Sequence, residues 1–105
     1  MKKDQKDPMK LKPIHPGEIL LEEFMRPLGI SINRLARDLD VPPNRIGAIV
    51  HGTRVITADT ALRLGLYFGI SPEIWLNLQT DYEMRVARNL RGAEIARRVR
   101  KREAA

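Results

Sequence analysis

Apolar residues recur along this chain at three- and four-residue intervals in five separate stretches, each bounded by residues that start or stop helices. That spacing gathers side chains on one face of an α-helix. In PGEILLEEFMRPLG, from Pro16, the residues Ile19, Leu20, Glu23 and Phe24 fall in helical register. Leu20, Phe24 and Leu28 step by four, Glu18 sits in the first turn, and helix one is predicted to end near Pro27 and Gly29. Ser31 offers an N-cap hydroxyl to SINRLARDLD, whose Ile32, Leu35, Ala36 and Leu39 form an apolar stripe, and helix two should stop at Asp40. In VPPNRIGAIVHGTR, from Val41, Pro43 can open a helix and Gly52 can close it. Ile46, Ile49 and Val50 then lie on one side, with Asn44, Ala48 and His51 opposite.

Thr57 caps ADTALRLGLYFG, in which Ala61, Leu62, Leu64, Leu66 and Phe68 make a broad apolar surface that Gly69 ends. Ser71, Pro72 and Glu73 supply a cap, a first-turn proline and a negative charge for helix five, with a stripe of Trp75, Leu78, Tyr82 and Val86. No segment alternates as a strand would. The predicted fold is all-α, a five-helix domain over residues 14–90. A lysine-rich arm without periodicity precedes it at residues 1–13. An arginine-rich tail follows over residues 91–105, where Gly92 is expected to interrupt and where Ile95 and Val99 leave room for a short C-terminal helix.

A chain of 105 residues supports one core. It has no cysteine, so neither disulfides nor thiolate metal sites can brace the fold, and a reducing cytoplasm is the expected compartment. No apolar run is long enough to cross a membrane, and the lysine-rich start lacks the apolar segment of a signal peptide. The net charge of +6 suits a polyanionic partner, but it is unevenly placed. Residues 1–12 carry five lysines and two aspartates, and residues 85–105 carry eight basic and two acidic residues. Between them, residues 13–84 hold six arginines against nine acidic side chains, a net of −3. Global charge therefore does not identify a nucleic-acid face; local pattern must.

Helices two and three are separated only by Asp40, Val41 and Pro42, the turn length of a helix-turn-helix. Ala36 gives the small contact that two steeply crossing helices need, and Val41 an inward apolar plug. In this motif the second helix enters the DNA major groove by its N-terminal end. Asn44 can then pair with an adenine edge and Arg45 with a guanine edge, while Ala48 lies against a base. Ser31, Asn33, His51, Thr53 and Arg54 are placed to meet phosphates, although His51 at a helix end can equally cap the last carbonyls.

The runs HPGEILLEEFMRPLGIS, LARDLDVPPNRIGAIVHGTR and ITADTALRLGLYFGISPEIWLNLQTDYEMRVAR together resemble the HigA-type antitoxins, also called virulence-associated protein I, within the Xre and phage-Cro repressor group. The likeness covers residues 11–90; HPGEIL and SPEIWLNLQTDYE are its specific parts. It implies a cytoplasmic homodimer that binds an inverted-repeat operator in double-stranded DNA, represses its own operon and neutralises a HigB-type toxin, a messenger-RNA endonuclease. By position, the resemblance makes Pro43, Asn44, Arg45 and Ala48 base-reading residues and Asn33, His51, Thr53 and Arg54 phosphate contacts. It assigns dimerisation to helix five and beyond, with Trp75, Leu78 and Tyr82 as candidates. The chain departs from the pattern in having Asp40 where the turn commonly holds glycine, which aspartate tolerates. It also has Ile32 where repressors often place glutamine, removing a polar contact.

Two isolated histidines and no converging acid pair offer catalysis nothing, so no enzyme activity, cofactor or metal site is expected. His15 is expected to order the start of helix one, and Glu18, Glu22 and Glu23 to form a solvated face or a contact for a basic toxin. Two rival readings are a stand-alone Xre-type repressor without a toxin, and a small RNA-binding protein that works through its basic ends.

Overall fold

The computed structural model describes residues 12–103 and contains five helices, with no strand among the described residues. The arm at residues 1–13 lies outside the described residues except for its last two. Helix α1 spans residues 16–28, α2 Ile32–Leu39, α3 Pro43–Val50, α4 Ala58–Phe68 and α5 Pro72–Arg98.

Helix starts follow the predicted chemistry. The His15 Nδ1 accepts the Gly17 N–H at 2.9 Å, Ser31 Oγ accepts the Arg34 N–H at 3.1 Å and Thr57 Oγ1 accepts the Thr60 N–H at 3.4 Å. Ser71 behaves differently: its hydroxyl donates to Glu73 Oε1 at 2.6 Å, leaving Pro72 to open α5. Asp40 ends α2 in the left-handed region at φ 60°, the conformation the turn demands.

Helix α1 departs from the regular register. Its middle, Leu20–Met25, is a π-helical turn in which the Arg26 N–H reaches back to the Leu21 carbonyl. In a regular helix the ring of Pro27 would collide with the carbonyl four residues earlier, that of Glu23, and the wider turn relieves this. One extra residue per turn brings Leu20 and Met25 into the core, while Leu28, expected on that stripe, is exposed. Phe24 keeps its inward place against Phe68 and Trp75, with ring centroids 5.0 Å apart in both pairs.

The core is made of Leu20, Met25, Leu35, Ala36, Leu39, Ile46, Ile49, Ile56, Ala61, Leu64 and Trp75. Ala36 is fully buried and Val41 packs against the same cluster. The broad surface expected on α4 is narrower than its sequence suggests: Ala61 and Leu64 are buried, but Leu62 and Leu66 face outward. Gly17 makes the closest approach between elements. A Cβ there would stand 1.7 Å from the Ile49 carbonyl oxygen, so α1 rests its backbone directly on the end of α3.

The expected interruption at Gly92 does not occur, and α5 runs on to Arg98. A helical glycine costs only about 1 kcal/mol relative to alanine. Around it Glu94 pairs with Arg91 at 3.2 Å and Arg98 at 3.1 Å, and Ala93 and Ala96 favour the helix. The separate C-terminal helix expected past Gly92 is instead the outer end of α5.

Gly17→Ala should destabilise the fold by roughly 1–3 kcal/mol or more, as overpacking does. Gly47→Ala, where a Cβ meets nothing within 4 Å, should gain about 0.5–1 kcal/mol of helix propensity; urea denaturation of the two variants checks the contrast. His15 offers a second test. Its unprotonated Nδ1 serves as the cap and burial lowers its pKa from the ordinary imidazole value. Its contribution is therefore complete above that ordinary value and is lost as pH falls through the lower folded value. Thermal melts from neutral to mildly acidic pH should show a steeper fall in Tm for the wild type than for His15→Ala.

Candidate nucleic-acid interface

Helix α3 has only eight residues, too few to be stable without tertiary support. Its apolar side supplies part of that support, with Ile46 and Ile49 fully buried and Val50 half-buried. The opposite side presents Pro43, Asn44 and His51 as exposed residues, with Gly47 and Ala48 half-exposed between them. Two small residues at the centre of this face let the helix backbone approach a surface closely, and Asn44 stands beside them with both amide groups accessible.

Past α3 the chain folds tightly back. The His51 N–H donates to the Gly47 carbonyl and the Gly52 N–H to the Ile49 carbonyl, both at 3.0 Å, with Gly52 at φ 82°. Both the backbone N–H and the hydroxyl of Thr53 donate to the Ala48 carbonyl, at 2.9 and 3.2 Å. The Thr53 side chain is thus occupied in closing α3. Arg54 is exposed and has no carboxylate partner among the described residues. Ser31 and Asn33 are exposed at the start of α2, and the Ser31 hydroxyl keeps its own proton free to donate while its oxygen caps the helix.

Arg45 is not the free reader its position in the motif suggests. Its Nη1 donates to Asp59 Oδ2 at 2.6 Å, and its Nε is buried without a hydrogen-bond partner in the chain. Only 23% of the side chain is exposed. Asp59 also accepts from Arg63 Nε at 3.0 Å, and Arg63 Nη1 donates to the Leu39 carbonyl at 2.7 Å. The network joins the end of α2, the start of α3 and the first turn of α4. The carboxyl of Asp59 is held below its ordinary pKa, first by the Arg63 hydrogen bond and then by that from Arg45. A charge at the positive end of α4 suits this site as well. Alongside, the Tyr67 hydroxyl donates to Asp38 Oδ2 at 2.8 Å, which pushes the phenol pKa up.

The other end of the frame rests on Gln79. It is buried at 6% exposure, its Oε1 accepts the Ile56 N–H at 2.9 Å and its Nε2 donates to Glu83 at 2.9 Å. One amide therefore ties α5 to the loop after α3. The sequence carries a signal for it, a glutamine inside the apolar stripe of helix five, whereas nothing local marks Asp59 or Arg63. Of the dimer candidates, Trp75 is fully buried in its own chain and belongs to the core. Leu78 is half-buried near Ile14 and Ile19, and Tyr82 meets the His15 ring edge-on at 4.9 Å. Among the described residues no helix is long and apolar enough to cross a membrane, and no three His, Cys, Asp or Glu side chains gather as a metal site would need.

A helix-turn-helix family model matches residues 21–75. The virulence-associated protein I of Dichelobacter nodosus is 55% identical over 74 residues, covering 70% of this chain and 68% of the relative. An addiction module antidote protein of the HigA family from Coxiella burnetii superposes with a TM-score of 0.82 at 49% identity, over 88% of this chain and all of the other. The Pseudomonas aeruginosa antitoxin HigA, solved with the higBA promoter, gives 0.81 at 43% identity over 84% and 96% of the two chains. These relatives are regulators and antitoxins, and the chain is not an enzyme. With its π-kinked first helix, its glycine seated on the end of α3 and its helix-turn-helix at residues 32–50, the chain belongs to the helix-turn-helix family of virulence-associated protein I and the HigA antitoxins.

Proposed function

We propose that this chain is a cytoplasmic antitoxin that binds an inverted-repeat operator as a homodimer, represses its own operon and neutralises a HigB-type messenger-RNA endonuclease. The observation that carries this reading is the exposed, small-centred face of α3 with Asn44 at its N-terminal end. A relative 43% identical to this chain was solved with promoter DNA, which supports the regulatory half. Asn44 and Ala48 are the base-reading residues and Pro43 shapes the approach. The Ser31 hydroxyl, Asn33, His51, Arg54 and the backbone at Thr53 are the phosphate contacts.

Arg45 acts as a positioning residue in this reading, because its guanidinium is committed to Asp59 and aligns α3 against α4. Electrostatics alone would make removal of the Asp59 charge favourable to DNA binding; the positioning role predicts the reverse.

Binding to the DNA upstream of the chain's own gene tests the regulatory half. Asn44→Ala should weaken the operator complex by about 1–3 kcal/mol and leave an unrelated duplex almost untouched. Asp59→Asn should also weaken the operator complex even though it removes a negative charge. An increase in affinity on that substitution would return Arg45 to base reading. For the toxin half, co-expression with the product of the adjoining gene should relieve growth arrest. Unrelieved arrest, with operator binding intact, would leave a stand-alone repressor.

A further inference from the structure

Helix α5 serves the fold with only its first half. Trp75 and Gln79 are buried and Leu78, Tyr82 and Val86 are half-buried, but beyond Val86 every residue is exposed except Gly92 and Glu94, which are half-buried. From Tyr82 to Arg98 the helix continues for about 24 Å at about 1.5 Å per residue. Residues 85–103 carry eight basic side chains and two acidic ones. Glu94 neutralises Arg91 and Arg98, and Asp81 pairs with Arg85 at 3.0 Å. Arg88, Arg97, Arg100 and Lys101 have no carboxylate partner among the described residues.

This surplus stands in contrast to the helix-turn-helix body, whose residues 13–84 carry a net charge of −3. A body of that sign gains no counterion-release energy merely by approaching DNA, yet phosphate neutralisation supplies most of the affinity of ordinary DNA-binding proteins. The cations must therefore come from elsewhere in the chain. The base of the α5 extension is tied to the loop that follows α3, through Gln79 to Ile56 and through Tyr82 to His15, whose ring would lie 3.8 Å from a Cβ on Gly52. Basic charge thus continues outward from the segment bearing Arg54.

We propose that the α5 extension is a second DNA contact, binding the phosphate backbone of the duplex through Arg88, Arg97, Arg100 and Lys101 without reading sequence. The proposal rests on the DNA-binding reading above and adds a division of labour to it. The face of α3 selects the site, and the extension supplies affinity and salt dependence.

The test is the full-length variant Arg88→Gln/Arg97→Gln/Arg100→Gln/Lys101→Gln, titrated with the upstream duplex and an unrelated duplex over a range of salt. Affinity for both should fall about tenfold or more at low salt, and the slope of log K against log salt should shrink by about 3–4, near 0.9 for each lost phosphate contact. The operator-to-unrelated ratio should stay within about twofold, since phosphate contacts carry no sequence information. Unchanged affinity and slope, with Asn44→Ala still selective, would overturn the extension's role and leave the α3 reading standing. A wild type that binds neither duplex would overturn both. Sedimentation showing that the variant loses its association state while a forced dimer retains the wild-type salt slope would make the extension an interface between copies, and overturn the proposal. Far-UV circular dichroism should remain unchanged, because glutamine is a good helix former.

Discussion

The position of α3 depends on a contact with no side chain in it. Gly17 lays the backbone of α1 on the carbonyl of Ile49, and even a methyl group there would occupy the space of that oxygen. His15 caps the same turn through Nδ1, Pro16 is buried beside it, and the His15 ring turns its edge to Tyr82 of α5. Four elements of the fold thus meet around three consecutive residues. The HPGEIL run is specific to this geometry for a physical reason: each of its first three residues does something that most other side chains cannot do.

If Gly17 holds the C-terminal end of α3, Asp59 holds the other. Its carboxylate gathers Arg45 from the first turn of α3 and Arg63 from α4, and Arg63 in turn satisfies a carbonyl at the end of α2. The individual ion pairs are exposed enough that each is worth little in isolation. Their value lies in geometry, since one carboxylate fixes two guanidinium groups that approach from different helices. An eight-residue helix with an apolar side of Ile46 and Ile49 would otherwise be free to roll about its axis. Asn44 would then lose the fixed direction that pairing with a base edge requires.

Much of this was legible in the sequence because it is local. Caps, left-handed stops and three-to-four spacing are properties of neighbouring residues, so the helix limits at Ser31, Asp40, Pro43, Thr57 and Gly69 could be read directly. The family likeness was legible for the same reason, being carried by contiguous runs. What escaped was set by tertiary contact or by competition between local rules. Arg45 looks like a solvent-facing reader until Asp59, fourteen residues away, arrives beside it. Leu28 fits a four-residue step that the π turn before Pro27 displaces. Leu62 and Leu66 extend an apolar run on α4 that the core is too small to cover. Gly92 resembles a stop signal, but its cost is small and the helix formers on both sides outweigh it.

The same distinction bears on how the molecule divides its chemistry. Selecting a sequence requires side chains held to a fraction of an ångström, which only the cross-braced part of the fold can provide. Attracting a polyanion requires charge at roughly the right place, and a helix without tertiary packing can supply that. The chain keeps its arginine surplus where packing is absent and a mild negative balance where packing is dense. Within the body, arginine is used for structure, as at Arg45 and Arg63, and carboxylates are spent on holding it. A net negative charge over the reading domain is then a consequence of how α3 is braced.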